Sequence, residues 1–268
     1  MMRIMKNLVI AVSPDSSLEL LGSHADVIVL DKGLNESSDV TYDTVYIRSH
    51  FSRPSTLPQN FRSEIDTLVQ RAKHLNSEVK FIDNTDNVDT IVAFEDKWLQ
   101  YTAFGKFMPR TELYDDNVDI SSYIRPIFKN RLSSRGSGVT WDKNKATRST
   151  NEWIIQESLN IDEELRVYVI CGEVYPTGAV RRNMTEEQNT EAIDSRKLTQ
   201  DEIDFSSSVI SLASSLDIIG IDIALTSDGK LSLMEVNRSP GFAKFKELTG
   251  VNLASVLYEK LEARLISR

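Results

Sequence analysis

Gly220-Ile221-Asp222-Ile223-Ala224-Leu225-Thr226-Ser227-Asp228-Gly229-Lys230-Leu231-Ser232-Leu233-Met234-Glu235-Val236-Asn237-Arg238-Ser239-Pro240-Gly241-Phe242 reads as two strands and the turns that bound them. Asp228-Gly229 between the apolar runs Ile218–Leu225 and Leu231–Val236 is a strong hairpin signal. Asp222 stands inside an otherwise apolar strand, and Glu235 and Asn237 stand near the end of its partner. Side chains two apart on a strand share a face, so Glu235 and Asn237 point the same way and Asp222 can oppose them. Three hard oxygen donors on adjacent strands suit magnesium, which takes a few side chains and completes its shell with phosphate and water. The plainer reading is a polar stripe on a half-exposed sheet. The tight Arg238-Ser239-Pro240-Gly241 turn directly after the carboxylates favours the ligand reading.

Working outward, Asn7–Val12, Asp26–Leu30, Thr44–Arg48 and Val79–Ile82 are predicted strands, and Phe61–His74 carries helical spacing at Phe61, Ile65, Leu68, Val69 and Ala72. Strands alternating with helices predict a parallel, doubly wound sheet. Ala11–Leu20 reads AVSPDSSLEL, without the glycine fingerprint of a dinucleotide site. The polar segment Asp83–Asp89 marks a domain boundary. A short helix over Glu95–Phe104 precedes a β-rich stretch with strands at Arg125–Lys129, Gly138–Trp141, Trp153–Glu157 and Leu165–Ile170; Cys171-Gly172-Glu173 turns into Val174–Arg181. Thr185–Asp204 is polar and reads as a surface loop leading into a helix over Asp201–Leu216. Leu253, Val256, Leu257, Leu261 and Leu265 line one face of a last helix.

The 268 residues suffice for one or two domains with a large core. A net charge of −9 argues against a nucleic-acid partner, whose phosphates need clustered cations. The single cysteine, Cys171, excludes an internal disulfide framework and a cysteine-based zinc site and suggests a reducing compartment. Leu8–Val12 is too short to span a membrane. A cytoplasmic location is the expectation.

The hairpin and the residues before it resemble the ATP-grasp superfamily, whose C-terminal signature is an Asp-bearing strand, a turn, and a strand ending Glu-Val-Asn before a Pro-Gly turn. The resemblance runs from about Phe94 to the C-terminus. It implies an α/β (α+β) fold with an N-terminal parallel-sheet domain over 1–92 and an ATP-grasp domain over 93–268. Two lobes would enclose ATP, the small one at about 122–158. Asp222, Glu235 and Asn237 would hold magnesium, or manganese in its place. Lys97, after Asp96, and Lys129, in Ile127-Phe128-Lys129, would contact the nucleotide. Ser133–Val139 resembles the loop over the phosphates, with Ser134, Gly136, Ser137 and Gly138 allowing backbone N–H groups to approach. Gln156, Glu157 and Leu159 would read adenine and Glu164 the ribose. Arg166 and Arg181 are the catalytic candidates, one of them neutralising an acyl phosphate.

Within the superfamily, Glu164-Leu165-Arg166 and Arg181-Arg182 are most similar to ligases that join amino acids to peptides or proteins, such as the ribosomal-protein glutamate ligase. The implied reaction activates a carboxylate as an acyl phosphate, releases ADP and phosphate, and forms an amide with an amino acid or peptide. A kinase on the same fold and a nucleotide-binding regulatory protein are the alternatives. Asn183–Leu198 (NMTEEQNTEAIDSRKL) departs from the glutamate ligases, which continue with a Ser-Asn segment and paired glycines. For the substrate, Arg48 ends a strand of the N-terminal domain, where open α/β sheets bind ligands; a surface arginine is the alternative. Ser49, Arg182 and Arg238 are the further substrate candidates, and His50 a candidate acid or base.

Overall fold

The computed structural model describes residues 5–30, 40–48, 59–133, 138–146, 152–183, 190–213 and 216–266. Ser49, His50, Ser134, Gly136 and Ser137 lie outside them, as does the side chain of Arg182.

Strands β1 (Asn7–Ala11), β2 (Asp26–Val29), β3 (Thr44–Arg48) and β4 (Lys80–Phe81) form an all-parallel sheet in the order β2-β1-β3-β4. Both faces are covered, which is why β1 and β3 read as continuous apolar runs. Leu8, Ile10, Val45 and Ile47 pack on one side with Ile65, Val69 and Ala72 of helix α2 (Gln59–Leu75). Val9, Ala11 and Tyr46 face the opposite way, into a core completed by helices α1 (Leu18–Gly22), α6 (Ala243–Thr249) and α7 (Leu253–Ile266) and by Tyr168 and Ile170 of strand β9 (Ile161–Ile170).

The second sheet is antiparallel, in the order β12-β11-β9-β13-β14, with the short β10 (Glu173–Val174) pairing on β9. Its other strands are β11 (Thr177–Asn183), β12 (Thr190–Lys197), β13 (Ile218–Thr226) and β14 (Leu231–Asn237). Cys171 and Gly172 both take positive φ, 55° and 83°, making the tight turn from β9 to β10. Leu165, Val167, Ile219, Ile221 and Ile223 meet Val209 and Ile210 of helix α5 (Gln200–Ile210) on the face away from the first core. A third sheet, β5-β8-β6-β7, is built from β5 (Thr111–Leu113), β6 (Pro126–Asn130), β7 (Val139–Thr140) and β8 (Trp153–Glu157) over Tyr114, Tyr123, Phe128 and Ile155. It takes in β5, which precedes residue 122.

Two sequence expectations change. Thr185–Asp204 is no loop through its middle, because Thr190–Lys197 pairs with β11 as the edge strand β12. An edge strand needs no buried period of two, and only Ala192 and Ile193 are apolar there, so the pattern is silent. The helix expected to reach Leu216 stops at Ile210. Ser206, Ser207 and Ser208 turn their hydroxyls back on the carbonyls of Glu202, Ile203 and Asp204, at 2.7, 2.8 and 2.9 Å, a competition that weakens helices. Its start holds through a capping box between Thr199 and Glu202.

The short helix expected over Glu95–Phe104 is α4 (Lys97–Phe104), and a further helix, α3 (Val88–Glu95), meets it at Asp96. Ile91 belongs to the N-terminal core and Phe94 packs on the core of the large sheet, so α3 fastens one to the other. Among the described residues no helix is long and apolar enough to cross a membrane.

Candidate active site

The β13–β14 hairpin has the register its sequence suggests: Asp222 pairs with Glu235 and Gly220 with Asn237. A bulge follows, because Ile223 pairs with Leu233 and leaves Met234 as the extra residue. Bulges re-aim side chains. Here Leu233 and Val236 both enter the core while Met234 lines the cleft, which strict alternation does not allow.

On the neighbouring strand Arg166 lies opposite Asp222 and grips it with two bonds of 2.6 Å, Nε to Oδ1 and Nη2 to Oδ2. Arg181 on β11 donates from Nη1 to the Asp222 Oδ2 at 2.5 Å and to the Glu164 Oε1 at 2.7 Å. Three strands thus contribute one chain of alternating charge, Glu164–Arg181–Asp222–Arg166. Burial alone would raise the Asp222 carboxyl, but the two guanidiniums outweigh it and hold it ionised, below its ordinary range. Gly220 makes room for this: a Cβ there would stand 2.9 Å from Pro240 and 3.4 Å from the Arg166 Cδ.

The two lysines approach from the other side. Asp96 caps α4, accepting from the backbone N–H groups of Trp98 (2.8 Å) and Leu99 (3.4 Å), and pairs with Arg131 at 2.6 Å. Lys97 is therefore the first residue of a pinned helix, and its Nζ donates to the Ser133 carbonyl. Lys129 on β6 donates from Nζ to the Gln156 Oε1 at 2.7 Å, and Gln156 in turn donates to the Thr111 Oγ1 at 2.8 Å. Burial, then the charge of Lys97, pushes Lys129 down to about 8; Glu235 and Glu164 oppose the shift. Burial also lowers Lys97. Two desolvated cations held side by side are a site waiting for an anion.

A cavity of about 610 Å³ opens between the second and third sheets. Lys129, Gln156, Glu157, Leu159, Glu164 and Arg181 all line it. The Glu157 carboxylate is engaged elsewhere, accepting from the backbone N–H groups of Ile124 (3.1 Å) and Arg125 (2.7 Å), so what Glu157 offers a ligand is its backbone. Gly138 has φ 68°, and its Cβ would fall 2.8 Å from the Asn130 Cβ, so glycine is required at that end of Ser133–Val139.

The donor set suits magnesium. Among the described residues Glu235 accepts no hydrogen bond, and the Asp222 Oδ1 accepts one from the Arg166 Nε. The Asn237 Oδ1 accepts from the Ser239 N–H at 3.1 Å and keeps a second lone pair. Among the described residues no three His, Cys, Asp or Glu side chains form a cage. Two carboxylates and an amide leave the rest of an octahedron to phosphate and water, as Mg²⁺ prefers.

Two residues of the site carry no local signal in the sequence. Gln100 donates to the Val236 carbonyl at 3.0 Å and accepts from the Val236 N–H at 2.9 Å, gripping the edge strand between Glu235 and Asn237. Glu95, at the end of α3, lies within electrostatic reach of Glu235, Lys97 and Arg238; burial first of all raises its carboxyl to about 7. Arg48 and Arg238 are both buried, at 1% exposure, which excludes the surface reading of Arg48.

The architecture has counterparts among solved structures. It overlays the ATP-grasp ligase PsnB complexed with a minimal precursor (TM-score 0.68, 16% identity, 95% of this chain and 99% of that one). It also overlays D-cycloserine synthetase DcsG (0.62, 13%, 95% and 99%) and the D-alanine–D-alanine ligase of Bacillus anthracis (0.59, 12%, 98% and 98%). At such identities the likeness speaks for the fold. No curated protein sequence matches the chain. The model of the RimK-like ATP-grasp domain matches residues 107–261, which span the third sheet, the charge chain and the Asp222–Glu235–Asn237 hairpin. The chain thus belongs to the RimK-like ATP-grasp domain family, as an ATP-dependent ligase.

Proposed function

We propose that the chain uses ATP to convert a substrate carboxylate to an acyl phosphate and passes the acyl group to the amine of an amino acid or peptide. The observation that carries this reading is the convergence on Asp222 of Glu235 from β14, Arg166 from β9 and Arg181 from β11. Adenine would stack into the cavity against Leu159 and Met234 and be read by the backbone at Glu157. Glu164 would meet the ribose. Lys97 and Lys129 would hold the phosphates, and Asp222, Glu235 and Asn237 would hold magnesium, with manganese able to substitute. The bound metal supplies Lewis acidity and charge neutralisation at the terminal phosphates.

The work left to the protein is alignment and charge. The carboxylate attacks the γ-phosphorus, ADP departs, and Arg166 and Arg181 stabilise the acyl phosphate that remains. The amine then displaces inorganic phosphate. The fold likeness to PsnB, also solved with the precursor peptide PsnA2, supports a peptide among the substrates.

The test is the product. With hydroxylamine in place of the amine, amino acids and short peptides that stimulate turnover should yield a hydroxamate and ADP in equal amounts. AMP and pyrophosphate would overturn the mechanism. A stable phosphorylated alcohol with ADP and no hydroxamate would make the protein a kinase.

A further inference from the structure

The Arg238-Ser239-Pro240-Gly241 turn, directly after the Asp222–Glu235–Asn237 set, is laced to the N-terminal sheet. Arg238 donates from Nη1 to the Ile47 carbonyl at 2.8 Å. Arg48 donates from Nη2 to the Pro240 carbonyl at 2.9 Å, and from Nε to Asp15 at 2.8 Å. Tyr46 and Tyr168 donate to the carbonyls of Arg238 and Gly241 at 3.3 and 2.8 Å. In the order β2-β1-β3-β4 the strand connections reverse between β1 and β3; Asp15 lies beyond the carboxyl end of β1, and Arg48 is the last residue of β3. Open α/β sheets bind ligands in that crevice.

Among the described residues four polar atoms there are buried with no hydrogen-bond partner: the Arg238 Nε and Nη2, the Arg48 Nη1, and the Ser239 Oγ, which lies near the Tyr46 hydroxyl. Folded proteins leave few such atoms, because each forfeits its hydration unless something binds it. Nε and Nη2 are one edge of the guanidinium, a fork whose spacing matches the two oxygens of a carboxylate. Arg48 is paired to Asp15, whereas no ion pair within the described residues engages Arg238. Asp83 and Glu95 lie within electrostatic reach of Arg238 without bonding to it. Burial raises both carboxyls, and neither occupies the free edge of the guanidinium.

We propose that Arg238, with Ser239 and the Nη1 edge of Arg48, binds a second, non-reacting carboxylate of the substrate. The ligase would then take an amino acid or peptide with a free carboxylate and discriminate against its amide. The proposal rests on the ligase reading for the reaction but not for the site. Neither Arg48 nor Arg238 needs to touch ATP or the reacting atoms, so the pair sets specificity.

Two measurements on the full chain separate the possibilities. The first is thermal melting in glutarate against sodium chloride at equal ionic strength. Glutarate should raise the melting temperature of the wild type and leave Arg238→Met unmoved, with Arg238→Lys in between. An equal response in wild type and Arg238→Met, or none in either, would mean that water alone fills the site and would overturn it. The second is ADP release with amino acids and dipeptides, each beside its C-terminal amide. The free acids should exceed their amides tenfold or more in kcat/KM. Arg238→Met should shrink that ratio to about twofold through KM, while ATP affinity by calorimetry stays unchanged. A wild type indifferent to amidation, or a variant that loses acid and amide equally, would also overturn it. Silence of the whole panel would count against the ligase reading, and the melting experiment would still decide the carboxylate site.

Discussion

Lys129 shows how one side chain takes its chemistry from its surroundings. It is an ordinary lysine by composition, but burial and Lys97 bring it down to about 8. The sign of the consequence follows. Between about pH 8 and the ordinary lysine value near 10.4, the unfolded chain binds more protons than the folded one at this site, so ligand-free stability should rise with pH across that window. ATP affinity should run the other way, strongest below pH 8 and weakening above, because only the charged form attracts the phosphates. Lys129→Ala should flatten both profiles and weaken ATP more than AMP, which lacks the β- and γ-phosphates. Calorimetric titration of both nucleotides from pH 6.5 to 9.5 checks this; equal losses would place Lys129 beside the adenosine. Lys129 was marked in the sequence by its place in Ile127-Phe128-Lys129, whereas Glu95, Arg48 and Arg238 stood out less, since burial is not written beside a residue.

At the scale of elements, the β13–β14 hairpin separates two roles that look alike in sequence. Asp222 is a structural anion as well as a ligand candidate, since it answers two buried guanidiniums. Asp222→Asn should therefore lower the melting temperature as well as activity; losing one partner of a buried ion pair costs about 3–5 kcal/mol. Glu235 accepts no bond from a described residue, so Glu235→Gln should keep the melting temperature and still lose about 10²-fold or more in turnover. Near-normal turnover of Glu235→Gln at limiting magnesium would remove Glu235 from the metal set. The hairpin was legible because its turn, apolar runs and carboxylates are all local. The bulge at Met234 and the grip of Gln100 on Val236 were not, because each is fixed by a partner from another part of the chain. Strand β12 was missed for a related reason: an edge strand takes its identity from its neighbour β11 and not from its own pattern.

At the scale of the whole molecule, the N-terminal sheet and the large sheet share one core. Val9, Ala11 and Tyr46 are covered by Phe242, Phe245 and Leu257, which come from the C-terminal quarter of the chain. Asp83 and Asp217 add a polar clasp: the Asp83 Oδ1 accepts from the Asp217 N–H at 2.6 Å, and the Asp217 Oδ2 accepts from the Asp83 N–H at 3.0 Å. Residues 1–92 alone would expose one face of their sheet. That fragment should show poorly dispersed amide resonances and bind a hydrophobic dye, whereas the full chain should unfold in one transition. A folded, dye-free fragment would show that the first sheet completes its core without the second.

The sequence by itself determined the parallel sheet, the final hairpin, the order of the lysines and carboxylates, and through that order the family. These depend on local spacing: period two in strands, Asp-Gly at a turn, charges at fixed offsets. The tertiary structure alone decided which charges meet. It put Arg166 and Arg181 on Asp222, closed Gln100 on an edge strand, and buried Arg48 beside Arg238; among the described residues it left Glu235 without a donor and one guanidinium edge unpaired. The physical reason is that electrostatic and hydrogen-bond energies depend on distance and burial in space, and residues 48 and 238 come together only after the core has closed between them.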